Sequence, residues 1–203
     1  MKKILGILVV MLVMITTTSC NSKHNWLNNT IAEPLTDAQL EQAIYDVNNY
    51  EYFQIFRDYG FNSFDFEEDY TELQNKIMLC PQTAMIKAKK ITWKDIFEYQ
   101  KFTYDSLQQV EYHKIINDQY INNFPDSIIK KALELSKTCD PEYTIFCFPN
   151  LIAGAYKEFG DSWEVANIKA FINIDEYRIN ALKEINPKFA IIYQFEIEID
   201  NIL

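Results

Sequence analysis

The stretch Phe189–Asp200, FAIIYQFEIEID, decides the fold class that this sequence predicts. Its odd-numbered positions are apolar, and its even-numbered positions become polar or acidic towards the end. A period of two is typical of a strand that packs one face on a core and leaves the other in water. We therefore expect an antiparallel strand here. The apolar positions are Phe189, Ile191, Tyr193, Phe195, Ile197 and Ile199, and they alternate with Ala190, Ile192, Gln194, Glu196, Glu198 and Asp200.

Shorter β-rich segments precede this stretch. After the turn signal Asp140-Pro141, the spacing of apolar residues changes from 3.6 towards two. Tyr143–Phe148 (YTIFCF) predicts a short strand, and a second strand is expected within 163–174. Residues 175–185 have the pattern of a short helix, which we expect to end at Asn186-Pro187.

The first part of the chain carries helical patterns instead. Thr36 and Gln39 have the form of a capping box, and apolar residues follow at helical spacing up to Tyr59. The same kind of spacing predicts three further helices. They are expected within 61–80, from Thr92 to about Asn123, and between Pro125 and Thr138.

A run of helices followed by a run of strands argues for an α+β fold. We expect an N-terminal helical half packed on a C-terminal antiparallel sheet. Residues 36–203 have a length that fits a single domain, helical over 36–138 and strand-rich over 139–203. Hydrophobic residues make up 48% of the chain, which is enough for a real core.

The first twenty residues, MKKILGILVVMLVMITTTSC, have the pattern of a secretory signal. Lys2 and Lys3 precede an unbroken apolar run, Ile4–Ile15, and small residues follow it. A membrane-spanning helix needs about 20 apolar residues, so this run is short for one. We expect residues 1–19 to be removed. The alternative is an uncleaved anchor helix that extends through the threonines.

The end of this stretch, Thr17-Thr18-Ser19-Cys20, resembles the lipobox of bacterial lipoproteins. The third residue before the cysteine is Thr17, where Leu is usual in that pattern. The resemblance implies that Cys20 Sγ takes a diacylglycerol, that the chain is cut after Ser19, and that the new amino group is acylated. Several long acyl chains would anchor the protein to a membrane, because each buried CH₂ contributes about 0.8 kcal/mol. The alternative is an ordinary signal peptide with an incidental cysteine.

Residues 20–35 are expected to form a lipidated tether. The stretch Asn21–Leu35 is polar and rich in Asn, and it could reach about 50 Å when fully stretched. Acidic residues directly after the cysteine mark surface lipoproteins of some two-membrane bacteria, but here Asn21-Ser22-Lys23 follow. By this resemblance we expect a protein of the bacterial cell envelope, anchored in the outer membrane and facing the periplasm.

The chain is acidic, with 29 acidic and 19 basic residues and a formal net charge of −10. Loss of Lys2 and Lys3 with the signal would take this charge to −12. An acidic surface disfavours nucleic acid and favours a basic protein partner. The densest acidic run is a candidate docking patch, and the alternative is the solvated first turn of a helix. No Gly follows to form the turn of a Ca²⁺ loop, so we expect no metal there. This acidic patch consists of Asp65, Glu67, Glu68, Asp69 and Glu72.

Three cysteines follow Cys20, namely Cys80, Cys139 and Cys147. An exported protein can form disulfides, and an odd number leaves one thiol free. Cys139 and Cys147 flank the Asp140-Pro141 turn signal and form the candidate disulfide. The alternative is that all three are buried thiols that act as small hydrophobes.

Few residues point to catalysis. The chain has two histidines: His24 lies in the expected tether, and His113 lies on the edge of an apolar helix face without a metal ligand four residues away. No nucleophile elbow, P-loop or dinucleotide motif occurs, so no cofactor is predicted. Carboxylate pairs could serve a hydrolase, but the sequence selects none. Glu196 and Glu198 share a face only because the pattern alternates.

Three functions stay open on this basis. We expect a lipid-anchored envelope protein that binds a protein or cell-wall partner without catalysis, one variant being an immunity-type inhibitor with an acidic face. The first alternative is an envelope hydrolase, which predicts a deep pocket with two acids. The second is a structural subunit of an envelope complex, which predicts an exposed apolar patch.

Overall fold

A computed structural model describes residues 24–58, 66–79 and 88–200. The chain divides into two compact units, Met1–Lys94 and Asp95–Leu203. All regular structure in the described ranges is helical, with no strand; one isolated antiparallel bridge joins Thr30 and Thr92 within unit 1. The expected α+β fold with a C-terminal antiparallel sheet is therefore wrong, and the described part of the chain is all-helical.

The helices follow one another with short connections. Unit 1 contains a 3-10 helix at Asn25–Asn28, α1 (Asp37–Asn49), a 3-10 helix at Glu51–Phe53, α2 (Gln54–Asp58), α3 (Phe66–Leu79) and the first two residues of α4 (Trp93–Tyr104). Unit 2 contains the rest of α4, α5 (Ser106–Tyr120), a 3-10 helix at Ile121–Asn123, α6 (Asp126–Ser136), α7 (Pro141–Phe146), α8 (Phe148–Glu158), α9 (Trp163–Phe171), α10 (Ile174–Ile185) and α11 (Pro187–Asp200).

The stretch that predicted a strand forms α11. The sequence predicts only a helix end at Asn186 and Pro187, but a new helix also starts there. The Asn186 Oδ1 accepts a hydrogen bond from the Lys188 N–H at 3.0 Å, and Pro187 occupies the first helical position. Lys188 Nζ also donates to both carboxylate oxygens of Asp95, at 2.7 and 2.8 Å. The buried positions of α11 recur at helical spacing. They are Phe189, Ala190, Ile192, Phe195 and Ile199.

The two shorter segments that predicted strands also form helices. Tyr143–Phe148 lies across α7 and the start of α8, because Pro141 begins a helix after Asp140 rather than a turn between strands. The segment 163–174 contains α9, whose N-cap residue Ser162 accepts a hydrogen bond from the Val165 N–H at 3.3 Å. The division into a helical part and a strand-rich part at residue 138 therefore has no counterpart in the structure.

The predicted helices of the first part and of 175–185 are confirmed, with shifted ends. The helix expected from Thr36 to Tyr59 is divided at Tyr50, and the one expected from Thr92 to Asn123 is divided at Asp105. The Thr36 N–H donates to Gln39 Oε1 at 3.0 Å, as the capping box predicts.

The described part of the expected tether, residues 24–35, packs into unit 1. Trp26 and Ile31 are each 1% exposed. The Trp26 ring lies 5.4 Å from the Phe66 ring and 6.0 Å from the Phe53 ring. The Leu35 N–H donates to the Tyr70 hydroxyl at 2.8 Å. These residues are part of the unit 1 core and are not free chain.

One buried cluster in the core of unit 2 is built from five helices, α5, α6, α8, α9 and α10. Large side chains of α5, α6 and α8 pack in it together with alanines of α6, α8, α9 and α10. The buried cluster consists of Ile116, Tyr120, Ile128, Ala132, Phe148, Leu151, Ile152, Ala153, Ala155, Ala166, Ala170 and Ala181.

Candidate functional site

Helix α9 in unit 2 buries its two alanines and exposes most of its larger apolar side chains, whereas Phe171 is half-buried and packs against the core cluster. Ala166 and Ala170, one helical turn apart, are fully buried. Trp163 is 56%, Ile168 64% and Ile172 60% exposed, and Val165 is exposed as well. Val165, Ile168 and Ile172 lie within about 60° of one another at 100° per residue, on the side opposite the two alanines. We call Val165, Ile168 and Ile172 the α9 face; Trp163, at the first position of α9, is exposed but falls on the side of the two alanines at the same spacing.

The arrangement follows from the residues that α9 presents to its neighbour. Helix α9 packs against α8, where Ile152, Ala153 and Ala155 are buried. Alanines at such a contact allow the two backbones to approach closely. A helix that is apolar on every side belongs inside a core, so an apolar outer face on a surface helix needs another explanation.

The turn between α8 and α9 holds the α9 face in place. Gly160 adopts a φ of +102°, a conformation that L side chains rarely take. The Asp161 N–H then donates to the Tyr156 carbonyl at 3.2 Å, which closes the turn at the end of α8. Ser162 follows as the N-cap of α9. Three consecutive residues, each with a defined backbone conformation or hydrogen bond, thus set the direction of α9.

An ion pair fixes the far end of α9 to the same turn. Lys169 Nζ donates to Asp161 Oδ2 at 2.7 Å and lies 5.0 Å from the centroid of the Tyr156 ring. The contribution of a half-exposed pair is small, typically below about 1 kcal/mol. Its effect on local charge matters more, because it neutralises Asp161 and leaves Glu164 as the exposed acidic charge on this helix.

The acidic patch predicted from the sequence is only partly described. Asp65 lies outside the described residues, as does the lipidation candidate Cys20. Glu67, Glu68 and Asp69 occupy the first turns of α3. Glu72 is exposed and pairs with Lys76 at 2.6 Å, one helical turn later. This pairing compensates one of the five charges within the helix itself.

The candidate disulfide is not formed in this structure. Cys139 and Cys147 are both half-buried free thiols. The Cys139 Sγ donates to the Leu135 carbonyl at 3.5 Å, and Cys147 is the N-cap residue of α8. The third thiol, Cys80, lies outside the described residues. Cys139 is half-buried and packs against the buried cluster of unit 2.

The two histidines occupy defined positions. His24 stacks on Tyr50 at 3.9 Å and its Nδ1 lies 2.8 Å from Asp46 Oδ2, so it belongs to folded unit 1. His113 on α5 is half-buried, and burial followed by the charge of Arg178 lowers its pKa. His113 lines a cavity in unit 2 that the sequence did not indicate.

A second cavity bears on the hydrolase alternative. An open groove of about 400 Å³ in unit 2 is lined by two acids, Glu98 and Glu111, together with Lys101 and apolar side chains. This groove is where that alternative would place its chemistry. Among the described residues, no three or more His, Cys, Asp or Glu side chains are grouped so that they could hold a metal ion.

Comparison with known proteins gave no match: no family model, no curated protein and no solved structure is similar to this chain. In the ranges that the structure covers, no helix has the length and apolar character to cross a membrane.

Sequence reasoning missed the α9 face because the segment 163–174 predicts a strand. On a strand, Trp163 and Val165 share a side but Ile168 falls on the other. At helical spacing, the positions 165, 168 and 172 form one stripe and 166 and 170 another. The signal that separates the two patterns is the N-cap Ser162 together with the alanine pair.

Proposed function

We propose that this chain is a lipid-anchored protein of the bacterial envelope that binds another protein through the α9 face, without catalysing a reaction. The anchor would be the acylated Cys20, in the outer membrane and facing the periplasm. The observation that carries the binding part is the exposure of Val165, Ile168 and Ile172 on one side of a surface helix.

The energetic argument concerns the large side chains of the α9 face. Burial of one Ile or Val side chain contributes about 1.5–3 kcal/mol. Helix α9 does not gain this contribution within unit 2, because Ala166 and Ala170 are buried there and the larger side chains of the α9 face stay exposed. A partner that covers Val165, Ile168 and Ile172 would gain it on binding.

The occupant that fits is a protein with an apolar groove and basic side chains around it. The chain carries a net charge of −10, and the exposed acidic charge on α9 is Glu164, since Lys169 pairs with Asp161. A second copy of this chain would bring two acidic surfaces together, and long-range repulsion opposes that contact. A basic partner is attracted by the same charge, and its association should weaken with rising salt.

The test uses the full chain expressed in its own envelope, with Ile168→Glu as the variant and Leu133→Glu as its matched control. Leu133 is an exposed apolar residue of α6 in the same unit, so the control makes the same chemical change outside the α9 face. After crosslinking and solubilisation, partners are quantified by mass spectrometry. We expect recovery of a basic partner to fall about tenfold or more with Ile168→Glu and to persist with Leu133→Glu.

Equal recovery with both variants would remove the α9 face as the docking surface. Recovery of crosslinked copies of this chain alone would replace the basic partner with self-association. The anchor is tested separately by Cys20→Ala, which should abolish acyl labelling and release the protein from the membrane.

The α9 face also suits the structural-subunit alternative, which predicted an exposed apolar patch. The two functions differ in how long the contact lasts. A subunit stays bound at fixed stoichiometry through detergent purification without crosslinking, because obligate interfaces are larger and more apolar. A binding module is recovered mainly after crosslinking.

A further inference from the structure

The cavity next to His113 is a second feature of unit 2, independent of the α9 face. It has a volume of about 160 Å³ and lies where α5, α8 and α10 meet. Its polar lining comes from His113, Cys147, Asn150 and Arg178, and its apolar lining includes Ile116 and Phe171. Ligand pockets for drug-sized molecules are typically about 300–1,000 Å³, so this cavity suits a much smaller ligand.

Arg178 is held so that much of its guanidinium stays available. Its Nη1 donates to the Tyr193 hydroxyl at 3.2 Å and lies 3.4 Å from Asp175 Oδ1. Tyr193 in turn donates to the same Asp175 oxygen at 2.6 Å. Burial and then this hydrogen bond raise the pKa of Tyr193, so the hydroxyl keeps its proton. The partners of Arg178 among the described residues use Nη1, and Nε and Nη2 remain as donors.

Arg178 is the charged side chain among the described residues that line the cavity, and its carboxylate partner Asp175 lies outside the lining. Arg178 is one of two arginines in the chain, and its charge adds to burial in lowering the pKa of His113. No acidic side chain of the described residues lines the cavity, and Asp175, which pairs with Arg178, is exposed and outside the lining.

The N-terminus of α8 is a second source of positive charge at the cavity. Cys147 is the N-cap residue, and no side chain caps this end of the helix. Asn150, in the first turn, lines the cavity with its neighbour Pro149. The N-terminus of an 11-residue helix carries a partial positive charge and attracts anions, and here it faces the same cavity as Arg178 and His113.

We propose that this cavity binds a small oxyanion of the size of phosphate. Arg178 would hold two oxygens through Nε and Nη2, because the planar fork of a guanidinium matches two oxygens of one anion. The Asn150 amide donates to a remaining oxygen, and His113 lines the same cavity beside it. Tyr193 and Asp175 act as positioning residues that keep the guanidinium in one orientation.

The experiment titrates the full chain, purified in a neutral detergent, with inorganic phosphate at constant ionic strength set by chloride. Binding is followed by NMR on the imidazole carbons. The chain has two histidines, so His113→Gln assigns the signals. We expect saturable shifts of the His113 signal with phosphate and none with chloride. A bound anion favours the charged imidazole, so the pKa of His113 should rise on binding.

Two variants of α10 distinguish phosphate binding in the cavity from a general effect of positive charge on this helix. Arg178→Gln removes the fork and should weaken phosphate binding about tenfold or more, as expected for the loss of hydrogen bonds to a charged group. Lys183→Gln removes one positive charge from the same helix at an exposed position outside the cavity, and it should bind phosphate like the wild type. Equal weakening in the two variants would overturn the proposal.

Asn150→Ala serves where Arg178→Gln does not fold, as judged by circular dichroism. Loss of the amide donor should weaken binding severalfold while α8 persists. Shifts of His113 that are identical for phosphate and chloride, or a response unchanged by Asn150→Ala, would both count against an oxyanion site.

Discussion

The indole N–H of Trp26 donates to Asp46 Oδ2 at 2.8 Å, and both residues are 1% exposed. His24 Nδ1 contacts the same oxygen at 2.8 Å, and Gln42 donates to the other oxygen at 2.8 Å. A carboxylate buried in this way is stable only with its hydrogen bonds made. Asp46 therefore ties the first described residues of the chain to α1.

We predict that Asp46→Ala lowers the free energy of unfolding by about 1–3 kcal/mol, because the buried Trp26 N–H loses its acceptor. Glu41→Ala, an exposed change on the same helix, should stay within about 0.5 kcal/mol of the wild type. Urea denaturation measures both. Equal values for the two variants would mean that residues 24–26 are not held by Asp46.

This contact shortens the distance at which a lipid anchor on Cys20 would hold unit 1 from the membrane. With a free chain of fifteen residues, the folded part could stand about 50 Å from the lipid. Because His24 is already packed on Tyr50 and Asp46, three residues lie between Cys20 and the described structure, and the four steps from Cys20 to His24 span at most about 14 Å. A lipidated Cys20 would therefore keep unit 1 close to the membrane surface.

The assignment of α11 as a helix can be tested with two neighbouring isoleucines. Ile192 is 2% exposed, whereas Ile191 is half-buried. On a strand, Ile191 would face the core and Ile192 would face water. We expect Ile192→Ala to lower the free energy of unfolding by about 2–5 kcal/mol and Ile191→Ala to cost less than half of that. The reverse order, measured in urea, would support the strand.

The residues of α11 also explain why the sequence pattern predicted a strand instead of a helix. Residues 189–193 are apolar in both registers, so the alternation is real only from Gln194 onwards. A short alternating run cannot outweigh a helix start at Asn186-Pro187, where the cap and the fixed φ of proline both favour a helix. The same dipeptide signals a helix end when read from the preceding side, and only packing decides between the two.

The helices of the first part were predictable because caps and periodicity agree there. Thr36 and the stripe that follows it both point to α1, and the spacing between Pro125 and Thr138 points to α6. The burial of Trp26 was not predictable, because its neighbours in the sequence are polar and its partners Phe53 and Phe66 are distant in the chain. Arg178 was missed for the same reason, since Tyr193 and His113 meet it only in the folded unit.

Stability should depend on pH through His113. Its pKa is lowered in the folded chain, first by burial and then by Arg178, so the unfolded chain binds more protons just below the usual value of about 6.5. The stability associated with neutral His113 is present above that value and is lost as pH falls below it. We expect the melting temperature of His113→Gln to fall less than that of the wild type between pH 7.5 and 5.5. If the melting temperatures of the two proteins fall in parallel with pH, His113 is not the source of the pH dependence.

The orientation of α9 should depend on Gly160 and not on glycine in general. Gly160 has a φ of +102°, and a Cβ added to it would meet open space, so Gly160→Ala costs only backbone strain, about 1–3 kcal/mol. Gly154, inside α8, is the matched control. A Cβ there would lie 3.2 Å from Leu135 Cδ1, the end of a flexible side chain, and alanine favours a helix interior by about 0.5–1 kcal/mol. Gly154→Ala should therefore be neutral or slightly stabilising.

Thermal unfolding distinguishes the two glycine variants, because strain at the turn lowers the melting temperature of Gly160→Ala alone. A Gly160→Ala chain as stable as the wild type would show that the turn accepts a side chain and that its backbone does not fix α9. If α9 is the docking element, Gly160→Ala should also reduce partner recovery where Gly154→Ala does not. The reason is geometric: only Gly160→Ala changes the turn that directs Ile168 and Ile172 outwards.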